Sequence, residues 1–250
     1  MPGGKQTLEA VAAYDHIAPA FRALSERRSA YLAAVDSLIL DKIPKNARSL
    51  LDAGAGDGHR AIQLATAAGI PETVLVEPSA AMRALIPPGH ETWATKIETL
   101  TPSDRKFDVI LCLWNVLGHV PDNDLRVTAL QNLACHCTSE GMIFLDVLNR
   151  YNVAECGWIT VMGRRLRDAI LPSERNGNVE VNWNADGRTV KTHGHVFTAK
   201  EADILFRRAG LSLVERIVLN YHTGKRNRQL SSGNPLYVLR PTSYSNQSLR

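Results

Sequence analysis

The sequence predicts an α/β fold built on a doubly wound, largely parallel sheet, and three observations indicate it. An apolar run that ends in Asp52 is followed by a glycine-rich turn and then by a helix-favouring run at 61–65. The runs 107–113 and 141–147 are almost continuously apolar, as in strands that are buried on both faces of a parallel sheet. Strand and helix patterns alternate up to residue 147 in the order β-α-β-α-β-β-α-β, which is typical of crossover units.

The composition is that of an ordinary globular protein, large enough for one domain with an elaboration. The 250 residues are 44% hydrophobic and 22% charged. The formal net charge of +4 permits acidic or nucleic-acid partners without requiring them. No apolar stretch reaches the roughly 18–20 residues of a membrane span, and residues 1–5 lack the apolar core of a secretory signal. We therefore expect no membrane partner.

The four cysteines, Cys112, Cys135, Cys137 and Cys156, are too few and too scattered for a disulfide framework. They predict a reducing, cytoplasmic location. Cys135 and Cys137 flank His136, but a zinc site needs a second pair of ligands, which this segment lacks. The sequence therefore predicts no metal site.

Three glycines, Gly54, Gly56 and Gly58, follow the first predicted strand at alternate positions. Glycine tolerates positive φ and has no Cβ, so such a loop can turn sharply and let a ligand approach the backbone. The dinucleotide fingerprint has the spacing G-x-G-x-x-G and carries a pyrophosphate. Here the spacing is G-x-G-x-G, with Asp52 and Asp57 beside the glycines. These carboxylates would repel a pyrophosphate, so the loop favours a cationic ligand.

Residues 52–58, with the sequence D-A-G-A-G-D-G, resemble motif I of the class I S-adenosylmethionine-dependent methyltransferases. A second acidic residue, Glu77, ends the next predicted strand about twenty residues later, where such a residue accepts hydrogen bonds from the two ribose hydroxyls. The resemblance implies a Rossmann-like, seven-stranded sheet with an antiparallel last strand. It also implies S-adenosylmethionine as the cofactor and S-adenosylhomocysteine as the product.

The family pattern also implies which residues bind the cofactor, at or after the ends of the predicted strands. They are Asp52, Gly54, Ala55, Gly56, Glu77, Pro78, Ile97, Glu98, Trp114 and Asn115. The family usually has an acidic or amide side chain at the position of Lys96, where it contacts the adenine amino group. Lys96 departs from this pattern, so we expect the main chain of Ile97 or the carboxylate of Glu98 to contact the adenine.

The chain divides into five predicted segments. Residues 1–48 are expected to form an N-terminal helical lid with one or two helices, and residues 49–148 the cofactor-binding core. Residues 149–196 are expected to form an inserted substrate cap, and residues 197–241 the remainder of the core. Residues 242–250 are expected to be a disordered tail. Within 49–148 we expect a helix that ends at Ala68 and is capped by Gly69, further helices at 79–85 and 125–138, and a short strand at 91–94.

The cap and the last core segment carry their own turn and capping signals. Two alternating segments, 179–183 and 189–195, flank Asp186 and Gly187, a strong hairpin-turn pair. Thr198, followed three residues later by Glu201, predicts a capping box at the start of a helix that ends at 209–210. Strands at 213–219 and 236–240 are then expected to close the sheet as an antiparallel pair.

Methyl transfer from a sulfonium is an in-line displacement, so the protein chiefly has to align donor and acceptor. A general base is needed only where the acceptor must lose a proton. His119 lies just past the fourth predicted strand and is the candidate for this base. The alternative is a histidine that packs against or caps the following helix.

Aromatic and histidine side chains near the strand ends and on the cap are candidates for acceptor binding, with core packing as the alternative. They are Tyr14, Tyr151, Trp158, Trp183, His195 and Tyr221. Tyr14 begins the segment Y-D-H-I-A, which resembles a segment that precedes the core in many small-molecule methyltransferases and helps to close the active site. Alternatively, Tyr14, Ile17 and Phe21 form one apolar helix face.

We expect a methyltransferase that acts on an oxygen or nitrogen of a small molecule, such as a natural-product intermediate, under the cap. The partner is then a small molecule rather than a nucleic acid, and the protein a monomer or homodimer. An RNA or protein substrate is an alternative, because 221–228 and 164–167 are basic, although no N/D-P-P-Y/F motif follows the fourth strand. A regulatory protein that binds the cofactor without turnover is another.

Overall fold

The computed structural model describes residues 7–185 and 188–242. In this part of the chain an all-helical segment comes first, and strands and helices then alternate. The helices are α1 (Ala10–Ile17), α2 (Phe21–Glu26), α3 (Ser29–Lys42), α4 (His59–Ala68), α5 (Ala80–Arg83), α6 (Asn123–His136), α7 (Val153–Cys156), α8 (Trp158–Ile170) and α9 (Ala199–Arg208). The strands are β1 (Ser49–Ala53), β2 (Glu72–Val76), β3 (Glu91–Trp93), β4 (Phe107–Cys112), β5 (Cys137–Asp146), β6 (Asn178–Ala185), β7 (Arg188–His195), β8 (Leu211–Leu219), β9 (Arg226–Asn227) and β10 (Asn234–Pro241).

Eight of these strands form one mixed sheet in the order β3-β2-β1-β4-β5-β10-β8-β9. Strands β1 to β5 are parallel, whereas β10 runs antiparallel to both of its neighbours, β5 and β8. The strand order reverses between β1 and β4, as in a doubly wound, Rossmann-like sheet. The predicted α/β fold class is therefore confirmed, and the two-residue strand β9 makes the sheet eight-stranded instead of seven-stranded.

Each face of the sheet is covered by its own layer of helices. Leu51 of β1 packs in a buried cluster with residues of α6 and α9, and its neighbour Leu50 packs in a second cluster with residues of α3 and α4. The two leucines point in opposite directions because side chains alternate along a strand. All five residues of β1 are buried, which makes this strand a rigid support for the loop that follows it.

Local sequence signals set several of the helix ends. Gly58 (φ 71°) precedes α4 and Gly69 (φ 67°) follows it, both in the left-handed region that glycine adopts without a steric penalty. At the start of α9, the Thr198 hydroxyl accepts a hydrogen bond from the backbone N–H of Glu201, and the Glu201 carboxylate accepts one from the backbone N–H of Thr198. The predicted cap at Gly69 and the predicted capping box are both present.

Three boundaries differ from the expectation. The N-terminal segment contains three α-helices instead of one or two, and a 3-10 turn at Ala18–Ala20, which includes Pro19, separates α1 from α2. Helix α5 covers only four of the seven residues expected at 79–85. Helix α6 ends at His136 rather than at 138, because Cys137 already pairs with Phe107 as the first residue of β5.

The segment between β5 and α9 contains α7, α8 and the hairpin β6–β7. The hairpin strands were predicted and α8 was not. The backbone N–H of Leu8 donates to the carbonyl of Lys191 (2.8 Å), which joins the N-terminal segment to the hairpin. The predicted turn residues Asp186 and Gly187, and the residues 1–6 and 243–250, lie outside the described residues. The division into lid, core and cap stays a prediction.

None of the helices in the described residues has both the length and the apolar character that crossing a membrane requires.

Candidate functional site

Three cavities meet at the carboxyl ends of β1, β2 and β4, beside the point where the strand order reverses. The glycine-loop cavity is lined by Gly54, Gly56, Glu77 and neighbouring residues. The acidic cavity is lined by Asp36, Asp52, Asp57 and others. The cap cavity lies below the hairpin and is lined by residues that include Asn182, Trp183 and Tyr221. Crevices at this edge of an open α/β sheet are where ligands bind.

The loop between β1 and α4 is a close backbone support with little room for side chains. Gly54 and Gly56 have φ values of 86° and 59°. A Cβ on Gly54 would lie 2.5 Å from a methyl carbon of Val116. The N–H groups of Gly54 and Ala55 both donate to the carbonyl of Val76, at 2.8 and 3.0 Å. Because these N–H groups are bonded within the protein, they are not presented to a pyrophosphate.

Glu77 is a buried carboxylate held by two backbone groups. Its Oε2 accepts a hydrogen bond from the N–H of Gly56 (2.8 Å), and its Oε1 accepts one from the N–H of Ser79 (2.8 Å). Burial raises the pKa of Glu77, and these two hydrogen bonds oppose the shift. A carboxylate has about four acceptor positions, so each oxygen keeps capacity for a further donor such as a ligand hydroxyl.

The wall opposite Glu77 is formed by residues around Ile97. Pro78, Lys96, Ile97 and Glu98 all line the glycine-loop cavity. The Lys96 ammonium forms an ion pair with Glu9 of the N-terminal segment, so it is directed toward that segment. The carbonyl of Ile97 accepts a hydrogen bond from the side chain of Asn132 (3.0 Å), which leaves its N–H and the Glu98 carboxylate as the polar groups of the wall.

The acidic cavity combines four carboxylates with two arginines. Arg60 Nε lies 2.6 Å from a carboxylate oxygen of Asp36, and Arg22 lies 3.2 Å from Asp57. Burial raises the pKa of Asp52 to about 7, against the opposing effect of Arg60. The cavity therefore offers both signs of charge close to the glycine loop, which suits the ammonium and carboxylate groups of an amino acid.

The turn after β4 is held in an unusual conformation. Trp114 and Asn115 have φ values of 61° and 63°, which are uncommon for residues other than glycine and concentrate at functional sites. The Asn115 N–H donates to Asp146 (3.1 Å), its side-chain oxygen accepts from the N–H of Leu148 (3.0 Å), and its side-chain amide donates to the carbonyl of His195 (3.3 Å). These three hydrogen bonds hold Asn115, the residue that follows Trp114 in the turn.

Aromatic rings surround the junction of the cavities. Tyr14, Phe21, Trp114 and Trp183 form a closed circuit in which neighbouring ring centroids are 5.5 to 6.4 Å apart. The indole N–H of Trp114 donates to the hydroxyl of Tyr221 (3.0 Å). The circuit makes the junction an apolar, partly enclosed space.

His119 lies at this junction with a defined tautomer. Its Nδ1 is 3.2 Å from the carbonyl oxygen of His193, and because a carbonyl only accepts hydrogen bonds, Nδ1 carries the proton. Nε2 is then the acceptor for the hydroxyl of Tyr14, at 3.2 Å. Burial lowers the pKa of His119, although the hydrogen bond to His193 opposes this shift. The imidazole is therefore neutral at pH 7, with a lone pair on Nε2.

The family model of a methyltransferase domain matches residues 23–216. The chain belongs to this methyltransferase family. It is an enzyme, and its cofactor is S-adenosylmethionine. The residues described above fit that cofactor: Glu77 offers acceptors for two hydroxyls, the acidic cavity suits an amino-acid group, and the loop N–H groups are not free for phosphates.

Solved structures of methyltransferases have the same fold. CcbJ from Streptomyces caelestis superposes with a TM-score of 0.64 at 18% identity, over 86% of this chain and 90% of that chain. S-adenosylmethionine-bound CalS10, an amino pentose methyltransferase from Micromonospora echinaspora, gives 0.61 at 17% identity over 89% and 97%. The sugar N-methyltransferase KedS8 from a Streptoalloteichus species gives 0.59 at 17% identity over 96% and 97%. No curated protein sequence matches the chain.

The structure brings most of the predicted site residues of this methyltransferase to the three cavities. Gly54, Gly56, Glu77, Pro78, Ile97, Glu98, Trp114, His119 and Tyr14 line the glycine-loop cavity; Asp52, Gly54, Ala55 and Trp114 line the acidic cavity; Trp114, Asn115, His119, Trp183 and Tyr221 line the cap cavity.

Three predicted substrate residues lie elsewhere. The hydroxyl of Tyr151 donates to Asp168 (2.5 Å), outside the three cavities. Trp158 is on the surface of α8 with its side chain exposed to solvent. His195 is fully buried between Asn178 (2.7 Å) and Glu201 (3.0 Å). These residues organise or cover the cap instead of facing its cavity, because the cap folds with its own polar core.

Two contributors to the site were missed as functional residues. Phe21 lies against Gly56 and Trp114, and Arg22 reaches the acidic cavity. The helical spacing of Tyr14 and Phe21 was visible in the sequence, but the loop that they would meet was not. The spacing of apolar residues indicates which face of a helix is buried, but it does not indicate which residues pack against that face.

Several basic side chains that suggested an RNA substrate are bonded within the protein. Arg226 pairs with Glu215 (3.2 Å). Arg164 donates to the carbonyl of Arg150 (2.9 Å), and Arg167 donates to that of Asn176 (2.6 Å). The ion pair offsets the charge of Arg226, and the hydrogen bonds hold the guanidinium groups of Arg164 and Arg167 against the protein.

Proposed function

We propose that this methyltransferase transfers a methyl group to an oxygen or nitrogen of a small molecule bound in the cap cavity. One observation carries the proposal: the glycine-loop cavity and the cap cavity share Trp114 and His119. A donor in the first cavity and an acceptor in the second would meet at these two side chains. The structural neighbours CalS10 and KedS8 are described as amino pentose and sugar N-methyltransferases, and both are thus enzymes of small molecules.

In this proposal each part of the cofactor has its own residues. Bound S-adenosylmethionine supplies an electrophilic methyl group on its sulfonium. Glu77 accepts hydrogen bonds from the ribose hydroxyls, and the wall of Ile97 and Glu98 contacts the adenine. Asp52 and Arg22 in the acidic cavity face the ammonium and carboxylate of the methionyl end. The glycine loop allows the closest approach of the cofactor to the backbone.

His119 is proposed to accept the proton that the acceptor group loses. Its Nε2 lone pair is directed at the Tyr14 hydroxyl, and an acceptor O–H or N–H that takes the place of this hydroxyl would donate to the same nitrogen. As the acceptor atom bonded to the methyl carbon, the carbon–sulfur bond would break with its electron pair left on sulfur, S-adenosylhomocysteine would leave, and the acceptor's proton would pass to Nε2 of His119. Tyr14 orients the imidazole before the acceptor binds and closes one side of the aromatic circuit.

The aromatic circuit supports a compact acceptor with an apolar portion. Trp183 belongs to the hairpin β6–β7 and Phe21 to α2, so both the lid and the cap contribute to the enclosure. Enclosure holds donor and acceptor in line and excludes water, which is the main contribution an enzyme makes to a displacement of this type. The four cysteines are all free, which supports the proposed cytoplasmic location.

The experiment that tests the proposal is a turnover assay for release of S-adenosylhomocysteine. Purified protein is incubated with S-adenosylmethionine and with separate panels of amino sugars, other small amines and phenols, and in parallel with total RNA and with unmodified proteins. Turnover with a small molecule, insensitive to salt, is the expected result. Turnover with RNA alone, falling steeply with salt as phosphate contacts require, would overturn the choice of substrate class.

A further inference from the structure

Helix α8 presents an apolar face to solvent. Trp158, Ile159, Met162, Leu166 and Ile170 recur at helical spacing and therefore share one side of the helix. Between 55% and 72% of each residue is exposed. Val161 alone is buried within this helix, all of which is described. The usual orientation of a surface helix, apolar side inward, is thus inverted, and contiguous apolar faces of this kind mark interaction sites.

The orientation of α8 is fixed by polar contacts on its other side. Arg164 donates to a backbone carbonyl of the preceding loop (2.9 Å), and the carboxylate of Asp168 accepts hydrogen bonds from the hydroxyl of Tyr151 (2.5 Å) and the side-chain amide of Asn176 (3.0 Å). Arg167 donates to the carbonyl of Asn176 (2.6 Å). Since these contacts hold the helix in place, the apolar face cannot turn inward without breaking them.

We propose that this apolar face is the interface of a homodimer, in which α8 packs against α8 of a second copy. In a two-fold dimer the same patch of each copy faces the other, and an apolar patch can do this because no like charges are brought together. The face offers on the order of 600 Å² in each copy, because five large side chains are each more than half exposed and a large aromatic one has roughly 150–250 Å² of surface. Two copies would bury about 1,200 Å², which reaches the lower limit of stable interfaces.

Gly163 supports a close approach of the second copy. It lies in the middle of α8 beside the apolar face, and a Cβ at this position would meet no atom within 4 Å. Glycine destabilises a helix interior, and no contact within the protomer requires it here. A partner helix that crosses at this point does require it, because the missing side chain lets the two backbones approach.

A second copy fits this face better than a lipid surface. Interfacial helices bind membranes through an apolar face that is flanked by cations free to reach the headgroups. Here Arg164 and Arg167 donate hydrogen bonds to backbone carbonyls of the protein, and the guanidinium of Arg165 lies over the ring of Tyr151. The dimer does not depend on which acceptor is methylated, so it can be tested without a substrate.

The test is sedimentation velocity of the full chain at micromolar concentrations, with two variants. The wild type is expected to be a dimer. The double variant Ile159→Glu with Leu166→Glu is expected to raise the dissociation constant of the dimer at least 100-fold. Its circular dichroism spectrum and its S-adenosylmethionine binding should be unchanged. Gly163→Leu, whose side chain enters solvent in the protomer, is expected to raise it at least tenfold. A matched pair on other surfaces, Leu85→Glu with Val214→Glu, should remain dimeric.

A wild type that is monomeric at all these concentrations would overturn the proposal, as would a dimer equally tight in both α8 variants. Co-flotation with anionic phospholipid vesicles supplies the remaining outcome. A monomer that floats with the vesicles, and loses this property in the Ile159→Glu and Leu166→Glu pair, would assign the face to a membrane surface instead and reject the dimer.

Discussion

The imidazole Nε2 of His119 lies 3.2 Å from the hydroxyl oxygen of Tyr14, across a separation of 105 residues in the chain. The carbonyl of His193 holds the opposite ring nitrogen. We predict that His119→Asn lowers kcat by about 10²–10⁴-fold, the usual contribution of a general base, and leaves the affinity for S-adenosylmethionine unchanged. Release of S-adenosylhomocysteine and calorimetric titration measure the two quantities.

The matched control for this variant is His193→Asn, because the backbone carbonyl of His193, and not its ring, contacts His119. Its kcat should stay within a few-fold of the wild type. If His119→Asn turned over as fast as this control, His119 would not be the proton acceptor.

The pH dependence of activity follows from the lowered pKa of His119. Burial shifts this pKa below the ordinary value of 6.5, and only the neutral imidazole can accept a proton. The rate should therefore be unaffected between pH 8 and 7 and should fall only as the pH drops below 6.5. A profile of kcat/KM for the acceptor against pH, measured with saturating S-adenosylmethionine so that Asp52 is already engaged by the cofactor, checks this, and His119→Asn should lack the same acidic limb. An inflection above 6.5 would contradict the assigned environment.

Asp52 links stability to pH in the absence of cofactor. Burial raises its pKa from 3.8 to about 7 in the folded protein. Because the folded-state pKa is the higher one, the stabilising contribution of the protonated carboxyl is complete below pH 3.8 and is lost as the pH rises through 7. Asp52→Asn should therefore be more stable than the wild type at pH 8, by about 1–3 kcal/mol.

Urea unfolding at pH 5 and pH 8 measures this difference, with Asp104→Asn on an exposed loop as the control. The same Asp52→Asn variant should bind S-adenosylmethionine more weakly, because it removes a carboxylate proposed to face the ammonium group. A variant whose stability varies with pH as steeply as that of the wild type would show that Asp52 is not the titrating group.

Gly54 tests the shape of the loop. Gly54→Ala places a methyl group 2.5 Å from Val116 in a residue whose φ is 86°, so it should weaken S-adenosylmethionine binding at least tenfold. Adding Val116→Ala removes the clash and leaves the backbone strain, which costs about 1–3 kcal/mol. The double variant should recover binding only in part. Full recovery would mean that φ at this position is not constrained.

The glycine loop and the central strands could be predicted because their signals are local. The spacing of the glycines, the acid that ends β2 and the apolar runs of β4 and β5 are each contained within a few residues. The fold class follows from them, since a parallel sheet allows few connections. The cofactor was predicted from the resemblance of residues 52–58 to motif I of the S-adenosylmethionine-dependent methyltransferases.

The proposed acceptor site could be predicted only in part, because it depends on contacts between distant segments. Tyr14 and His119 were each candidates, yet nothing local indicates that they meet. Trp158 and His195 lie on the predicted cap, but one faces solvent and the other is buried. Helix α8 was missed because its apolar spacing was interrupted by Gly163 and the arginines, and its apolar side faces outward.

The most direct test of the account is calorimetric titration of S-adenosylmethionine into the wild type and Glu77→Ala, with Glu91→Ala on exposed β3 as the control and thermal unfolding to confirm folding. Hydrogen bonds to a charged group contribute about 1.5–3 kcal/mol. We therefore predict micromolar binding by the wild type and the control, and binding roughly 10- to 150-fold weaker by Glu77→Ala. Equal affinity in all three proteins would show that the ribose is held elsewhere and would contradict the assignment of the glycine-loop cavity as the donor site.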